Sequence, residues 1–177
     1  LDLGLRPEQP LAVFFSTPST ASDELVVPTQ VKRRGFALLA RACQMEGMQL
    51  AAKLHPRESD DAIAGLAAQM SPPVPVFRDR LPDLVRAADV IASIGSAVSF
   101  AGVVLGKTTV ILEAGSIARS ASMFASLGVG AQPRTLEALS ALLRDAAARN
   151  PEGSGEGFLG ADGKVAERIS SAVEKML

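Results

Sequence analysis

Two short runs of this chain carry side chains suited to binding an anion. The first is Lys53-Leu54-His55-Pro56-Arg57-Glu58, which holds the only histidine in the sequence. An imidazole titrates near neutral pH, so it can donate a hydrogen bond to a phosphate oxygen or neutralise its charge. Pro56 stops the preceding apolar run and biases His55 away from helical angles. The second run is Ser93-Ile94-Gly95-Ser96-Ala97-Val98-Ser99. Gly95 permits close backbone approach, Ser96 and Ser99 bring hydroxyls, and a helix start offers unpaired N–H groups with a positive dipole end. Each run also has a plain structural explanation: a histidine that bonds its own loop, and a serine that caps a helix.

Three further groups belong with these. Ser16-Thr17-Pro18-Ser19-Thr20 places four hydroxyls after an apolar run, either for a ligand or as an ordinary turn. Arg78 and Arg80 flank Asp79 and could pair with a diphosphate, or with Asp79 and solvent. Glu113 could accept from a ribose, cap a helix or face solvent. No G-x-G-x-x-G follows any predicted strand, and there is no G-x-x-x-x-G-K-[ST] loop. Gly102–Thr109 ends in Gly-Lys-Thr-Thr, but it closes a helix before a strand, the wrong side for a phosphate loop.

The elements that must position these residues alternate strand and helix. Leu11–Phe15, Leu50–Leu54, Val74–Phe77, Val90–Ser93 and Thr108–Leu112 read as apolar strands, with a short sixth around Leu127–Ala131. Between them lie helical patterns. Val31–Glu46 is closed by Gly47, and Ser59–Met70 has Ser59 and Asp60 as candidate caps. A short helix runs from Leu81 to Ala88 and another from about Ala97 to Leu105. Leu136, Leu139, Leu142, Leu143 and Ala146 mark a helix, and Val165 to Met176 another; Asn150–Gly163 reads as an exposed loop. The alternation predicts an α/β Rossmann-like three-layer αβα sandwich with a mostly parallel sheet of about six strands. Parallel strands end on one side, so Ser16, His55, Arg78, Gly95 and Glu113 should converge at one edge, where open α/β sheets bind ligands.

Composition narrows the classes. The 177 residues suffice for one domain, 47% are apolar, and the formal net charge is −1; such a chain is neither disordered nor a polyanion binder. Without Trp or Tyr it has few platforms for stacking bases, so no nucleic-acid partner is expected. Lys32-Arg33-Arg34 reads as a solvated helix start. Cys43 is the lone cysteine, which rules out an intrachain disulfide and reads as a buried structural thiol. No metal cluster is legible, and metal-independent chemistry is expected. No apolar stretch approaches the roughly 20 residues of a membrane span, and Leu1–Pro10 lacks the regions of a secretory signal. The start at Leu1, without methionine, suggests a segment of something longer.

The order of these pieces resembles the C-terminal, donor-binding half of glycosyltransferases built from two Rossmann-like domains (the GT-B type). The most similar groups are bacterial capsule polysaccharide transferases, the CDP-glycerol glycerophosphotransferase group, and sialyl- and Kdo-type transferases. Carrying the resemblance are Lys53-Leu54-His55-Pro56, Leu81-Pro82-Asp83-Leu84, Ala88-Asp89, the Ser93–Ser99 turn, Leu105-Gly106-Lys107, and Asp162-Gly163 with Glu167-Arg168-Ile169. It implies that His55 contacts a donor phosphate, that Ser96 and Ser99 hold the phosphate at a helix start, and that Ser16–Thr20 faces an interdomain cleft. Two positions depart from the pattern. Phe100-Ala101 stands where these families often place Glu-Ala, and Ser-Ile-Gly-Ser replaces Asp-Tyr-Ser-Ser.

The expected ligand is therefore a CMP-, CDP- or UDP-linked sugar or polyol, with no separate cofactor. Residues 1–177 would form one donor-nucleotide domain, inactive alone, with a glycan acceptor bound through an absent N-terminal half. The expected location is cytoplasmic, at the inner face of the membrane in the parent protein. The candidate nucleotide-binding residues are Ser16, Thr17, Lys53, His55, Arg78, Gly95, Ser96, Ser99 and Glu113, with His55 also the catalytic group. Two rivals remain. A nucleotide-sugar epimerase of the UDP-N-acetylglucosamine 2-epimerase type also uses a strand-end histidine and a serine-glycine turn, but its usual Asp-Ser-Gly-Gly and paired glutamates are missing here. A non-catalytic ligand-binding α/β domain is the other; a receiver would need acids at the first strand, which Ser16–Thr20 lacks.

Overall fold

The computed structural model describes residues 3–18, 27–58, 62–112 and 127–148. Strands and helices alternate through them: β1 (Leu11–Phe15), α1 (Thr29–Met45), β2 (Gln49–Lys53), α2 (Ala62–Ala68), β3 (Val76–Phe77), α3 (Leu81–Ala87), β4 (Val90–Ser93), α4 (Val98–Val104), β5 (Thr108–Ile111) and α5 (Leu136–Ala148). The sheet order is β3-β2-β1-β4-β5, and every neighbouring pair is parallel. This is the α/β Rossmann-like arrangement that the alternation predicts.

β1 is apolar throughout because both of its faces are covered. Ala12 and Phe14 pack with Phe36, Leu39 and Cys43 of α1, Ile63 of α2 and Leu139 of α5. Leu11, Val13 and Phe15 turn the other way, onto Leu84 and Val85 of α3. Phe14 and Phe36 meet edge to face, with ring centroids 5.3 Å apart. On that second face Val103 of α4 packs with Ile111 of β5 and Val129. Gly102 lets α4 approach closely: a methyl group there would lie 2.5 Å from Thr109 Oγ1.

Several local signals act as expected. Gly47 adopts φ +65° after α1, and the Met48 N–H donates to the Cys43 carbonyl at 2.9 Å, which closes the helix end. Asp89 clamps the start of β1: its Oδ2 accepts the Leu11 N–H at 2.8 Å, while its own N–H donates to the Leu11 carbonyl at 2.8 Å. Lys107 Nζ donates to the Arg86 and Ala88 carbonyls at 2.9 and 2.6 Å, satisfying the end of α3. The Ala-Asp and Leu-Gly-Lys pieces are thus accounted for by the scaffold. Cys43 is buried, and burial pushes its thiol pKa up to about 12.

Other expectations are corrected. Among the described residues five strands form, and the predicted sixth is reduced to a single parallel bridge between Val110 and Ala131. Gly128 and Gly130 have positive φ, which bends the segment out of register. β3 is only Val76–Phe77; Pro73 and Pro75 lack the N–H that a longer ladder needs. Lys32 is fully buried rather than solvated, whereas Arg33 and Arg34 are exposed. The predicted helix over 165–176, the loop over 150–163, Ser19, Thr20, Ser59, Asp60 and Glu113 lie outside the described residues. No helix among the described residues is long and apolar enough to cross a membrane.

Candidate functional site

The sheet order changes direction between β1 and β4. Carboxyl-end loops part at such a switch point and leave a crevice. Register places the pieces around it: Phe15 lies opposite Lys53 on one side and Ser93 on the other. At strand spacings of about 4.8 Å, Lys53 and Ser93 are thus roughly 10 Å apart along the rim. His55 follows β2, Ser16 and Thr17 follow β1, and Gly95-Ser96 follows β4. Thr17 Oγ1 donates to the Ile94 carbonyl at 3.4 Å, spanning the switch point.

Beneath the rim lies a carboxylate. Glu58 Oε1 accepts from Lys32 Nζ at 2.5 Å and from Ser16 Oγ at 2.9 Å. Its Oε2 accepts the His55 N–H at 3.2 Å. The Glu58 N–H donates to the His55 carbonyl at 2.9 Å, and Arg78 Nη1 donates to the Glu58 carbonyl at 3.1 Å. Both side chains of the Lys32–Glu58 pair are fully buried. Reading the sequence did not single out this pair. A helical count contains the signal for Lys32: it shares a face with Phe36, Leu39 and Cys43, at i, i+4, i+7 and i+11.

His55 is half-buried. Its Nδ1 accepts the Arg57 N–H at 3.1 Å, so the neutral ring carries its proton on Nε2. Burial lowers its pKa below the ordinary value, the positive charges of Arg57 and Lys53 lower it further, and Glu58 opposes them. Burial thus favours the neutral ring. Of the two roles expected for His55, hydrogen-bond donation suits the neutral ring, and a phosphate nearby would favour the protonated one.

The turn after β4 is organised by two buried hydroxyls. Ser93 Oγ and Ser99 Oγ are 2.8 Å apart, and Ser93 Oγ accepts the Ser96 N–H at 3.2 Å. Gly95 takes φ +76°, a conformation that favours glycine. Ser99 is fully buried, so its hydroxyl braces the turn from behind and does not reach a ligand. Ser96 stays partly exposed, its Oγ 3.5 Å from the Val98 N–H. Among the described residues nothing accepts from the Gly95 or Ala97 N–H. Among the described residues, those two N–H groups, Ser96 Oγ and the His55 Nε2–H are donors at the rim that an anion could use.

The remaining candidates divide. Ser16 is buried on Glu58 and supports the rim. Lys53 is buried, its Nζ donating to the Leu54 carbonyl at 2.6 Å; burial lowers its pKa, while Asp79 and Glu58 raise it. Arg78 is exposed beyond β2, at the edge strand. Arg80 takes φ +64° before α3 and pairs with Asp83 at 2.7 Å, so the expected pairing with Asp79 gives way to an α3 contact.

No protein-family model and no curated protein matches the sequence. Solved structures do match in fold. A UDP-GlcNAc 2-epimerase from Neisseria meningitidis bound to UDP-GlcNAc superposes with a TM-score of 0.51 at 15% identity, covering 97% of this chain and 46% of that one. A putative UDP-N-acetylglucosamine 2-epimerase from Listeria monocytogenes gives 0.52 at 11% identity, covering 96% and 45%. The chain therefore spans less than half the length of these neighbours. At such identities the likeness establishes the Rossmann-like fold.

Proposed function

We propose that this chain binds the diphosphate of a nucleotide-activated sugar and is the nucleotide half of a two-domain enzyme. The supporting observation is the arrangement of donors at the switch point, with His55 Nε2–H on one side of β1 and the Gly95-Ser96 turn on the other. When a nucleotide leaves, negative charge grows on its phosphate, and donors already fixed at that place lower the barrier. A second domain supplies the opposite wall, excludes water and contributes the catalytic base. The reading carries a cytoplasmic location with it and needs no separate cofactor.

Epimerisation of a UDP-linked sugar is the favoured reaction, because the neighbours in fold are named for it. Transfer of the sugar to a surface glycan is the second reading. It is supported by Lys53-Leu54-His55-Pro56, part of the run that carries the transferase resemblance, while Ser-Ile-Gly-Ser matches neither the transferase nor the epimerase turn.

The test titrates the 177-residue chain with UDP, CDP and CMP, in wild type and in His55→Ala. We expect one nucleotide to bind with submillimolar affinity, weakened about tenfold by the substitution, a change worth about 1.4 kcal/mol. Absence of binding at several millimolar, or an unaffected variant, would overturn the reading. Incubating the two-domain parent with UDP-N-acetylglucosamine separates the reactions: an epimer formed without acceptor marks the first.

A further inference from the structure

We propose that Glu58, held by Lys32, is the positioning residue of this site, fixing the His55 peptide against the β1 loop so that the imidazole stands at the rim in one tautomer. The inference rests on the nucleotide reading above and adds to it a residue that touches neither ligand nor reacting atoms.

The geometry carries it. A carboxylate removed from water is costly unless its oxygens are filled. Glu58 fills both, with Lys32 Nζ and Ser16 Oγ on one and the His55 N–H on the other. Its main chain closes back on the His55 carbonyl and receives Arg78. One residue thereby ties together the loop after β1, helix α1, the loop after β2 and the segment after β3. Apolar residues of equal volume stabilise a fold as well as a buried ion pair, or better. A buried pair whose carboxylate also takes the His55 N–H and the Ser16 hydroxyl therefore points to a role in the geometry of the rim. His55 is held at two ends: its backbone N–H and carbonyl by Glu58, its ring Nδ1 by the Arg57 N–H.

The experiment uses the full chain and exploits its single histidine, whose NMR signals need no assignment. Wild type, Glu58→Gln, Ser16→Ala and Arg144→Ala are compared for the His55 titration midpoint and for UDP affinity. Arg144 pairs with Glu46 at the opposite end of α1 from Lys32 and serves as a control for mere loss of an ion pair. Expected for Glu58→Gln are a lowered His55 midpoint, since a negative neighbour is removed, and a UDP dissociation constant about tenfold higher, the scale of one lost charged hydrogen bond. Arg144→Ala should move neither.

A folded Glu58→Gln with wild-type midpoint and affinity overturns the proposal, as does an equal shift in Arg144→Ala. Where Glu58→Gln does not fold, Ser16→Ala decides: an altered His55 imidazole shift and weaker UDP binding support the proposal, and unchanged values overturn it. If wild type binds no UDP, the nucleotide reading fails separately. The His55 midpoint then decides alone, a lowered value in Glu58→Gln supporting Glu58 as the imidazole's anchor and an unmoved one overturning it.

Discussion

Lys32 and Glu58 stand 26 positions apart in the chain and meet in an ion pair from which water is excluded on both sides. The pair joins the first turns of α1 to the loop after β2, so the helix that covers β1 also fixes the mouth of the sheet.

Removing one partner should therefore be costly. Lys32→Met and Glu58→Gln are each expected to lose about 3–5 kcal/mol, because a buried charge is left uncompensated. The double variant Lys32→Met/Glu58→Leu should recover much of the loss. Urea denaturation midpoints at constant slope measure this; additive losses would contradict it.

Two glycine substitutions should act in opposite directions. Gly102→Ala puts its methyl 2.5 Å from Thr109 Oγ1 and 3.1 Å from Ile91 Cδ1, and is expected to destabilise by about 1–3 kcal/mol. Gly65→Ala, inside α2 with nothing within 4 Å, should stabilise by about 0.5–1 kcal/mol. Thermal unfolding of the two proteins side by side gives the comparison.

The depressed pKa of His55 gives stability a sign with pH. As pH falls below about 6.5 the unfolded imidazole binds a proton before the folded one does. Stability from this group should be intact above that pH and decline until the folded ring also titrates. Subtracting the profile of His55→Gln from that of wild type isolates the effect. A difference curve rising toward acid would refute the assignment. Bound UDP should shift the His55 midpoint upward.

Cys43 should be inert to thiol reagents in the native protein. Its sulfur is buried and its pKa is pushed up to about 12, so almost no thiolate is present at pH 8. Modification by a disulfide reagent should be slow in buffer and immediate in denaturant.

Much of this molecule is written in its local patterns. The apolar run Leu11–Phe15 and the helical spacing from Val31 onward describe elements whose stability comes from the faces they bury, so residue type alone locates them. Gly47 and Gly95 are legible because their backbone angles restrict the choice of residue. Lys32 and Ser99 were misplaced for one shared reason. A charged or hydroxyl side chain is ordinarily read as facing water, and only the three-dimensional meeting with Glu58 or Ser93 shows that it does not. The sixth strand failed because Gly128 and Gly130 outweigh the apolar character of their neighbours. Chain direction brings the ends of β1, β2 and β4 to one edge as the alternation predicts, but the hydrogen bonds that join them depend on partners far away in sequence.

The contact between Thr17 and Ile94 has a further consequence. At 3.4 Å it is longer than an ordinary hydroxyl bond, so among the described residues the loops after β1 and β4 are joined there by one weak tie. Among the described residues a ligand of the class proposed would displace that tie on entering between them, while the hydrogen bonds of Glu58 lie beneath it. Such entry would part the mouth of the sheet and leave its floor in place.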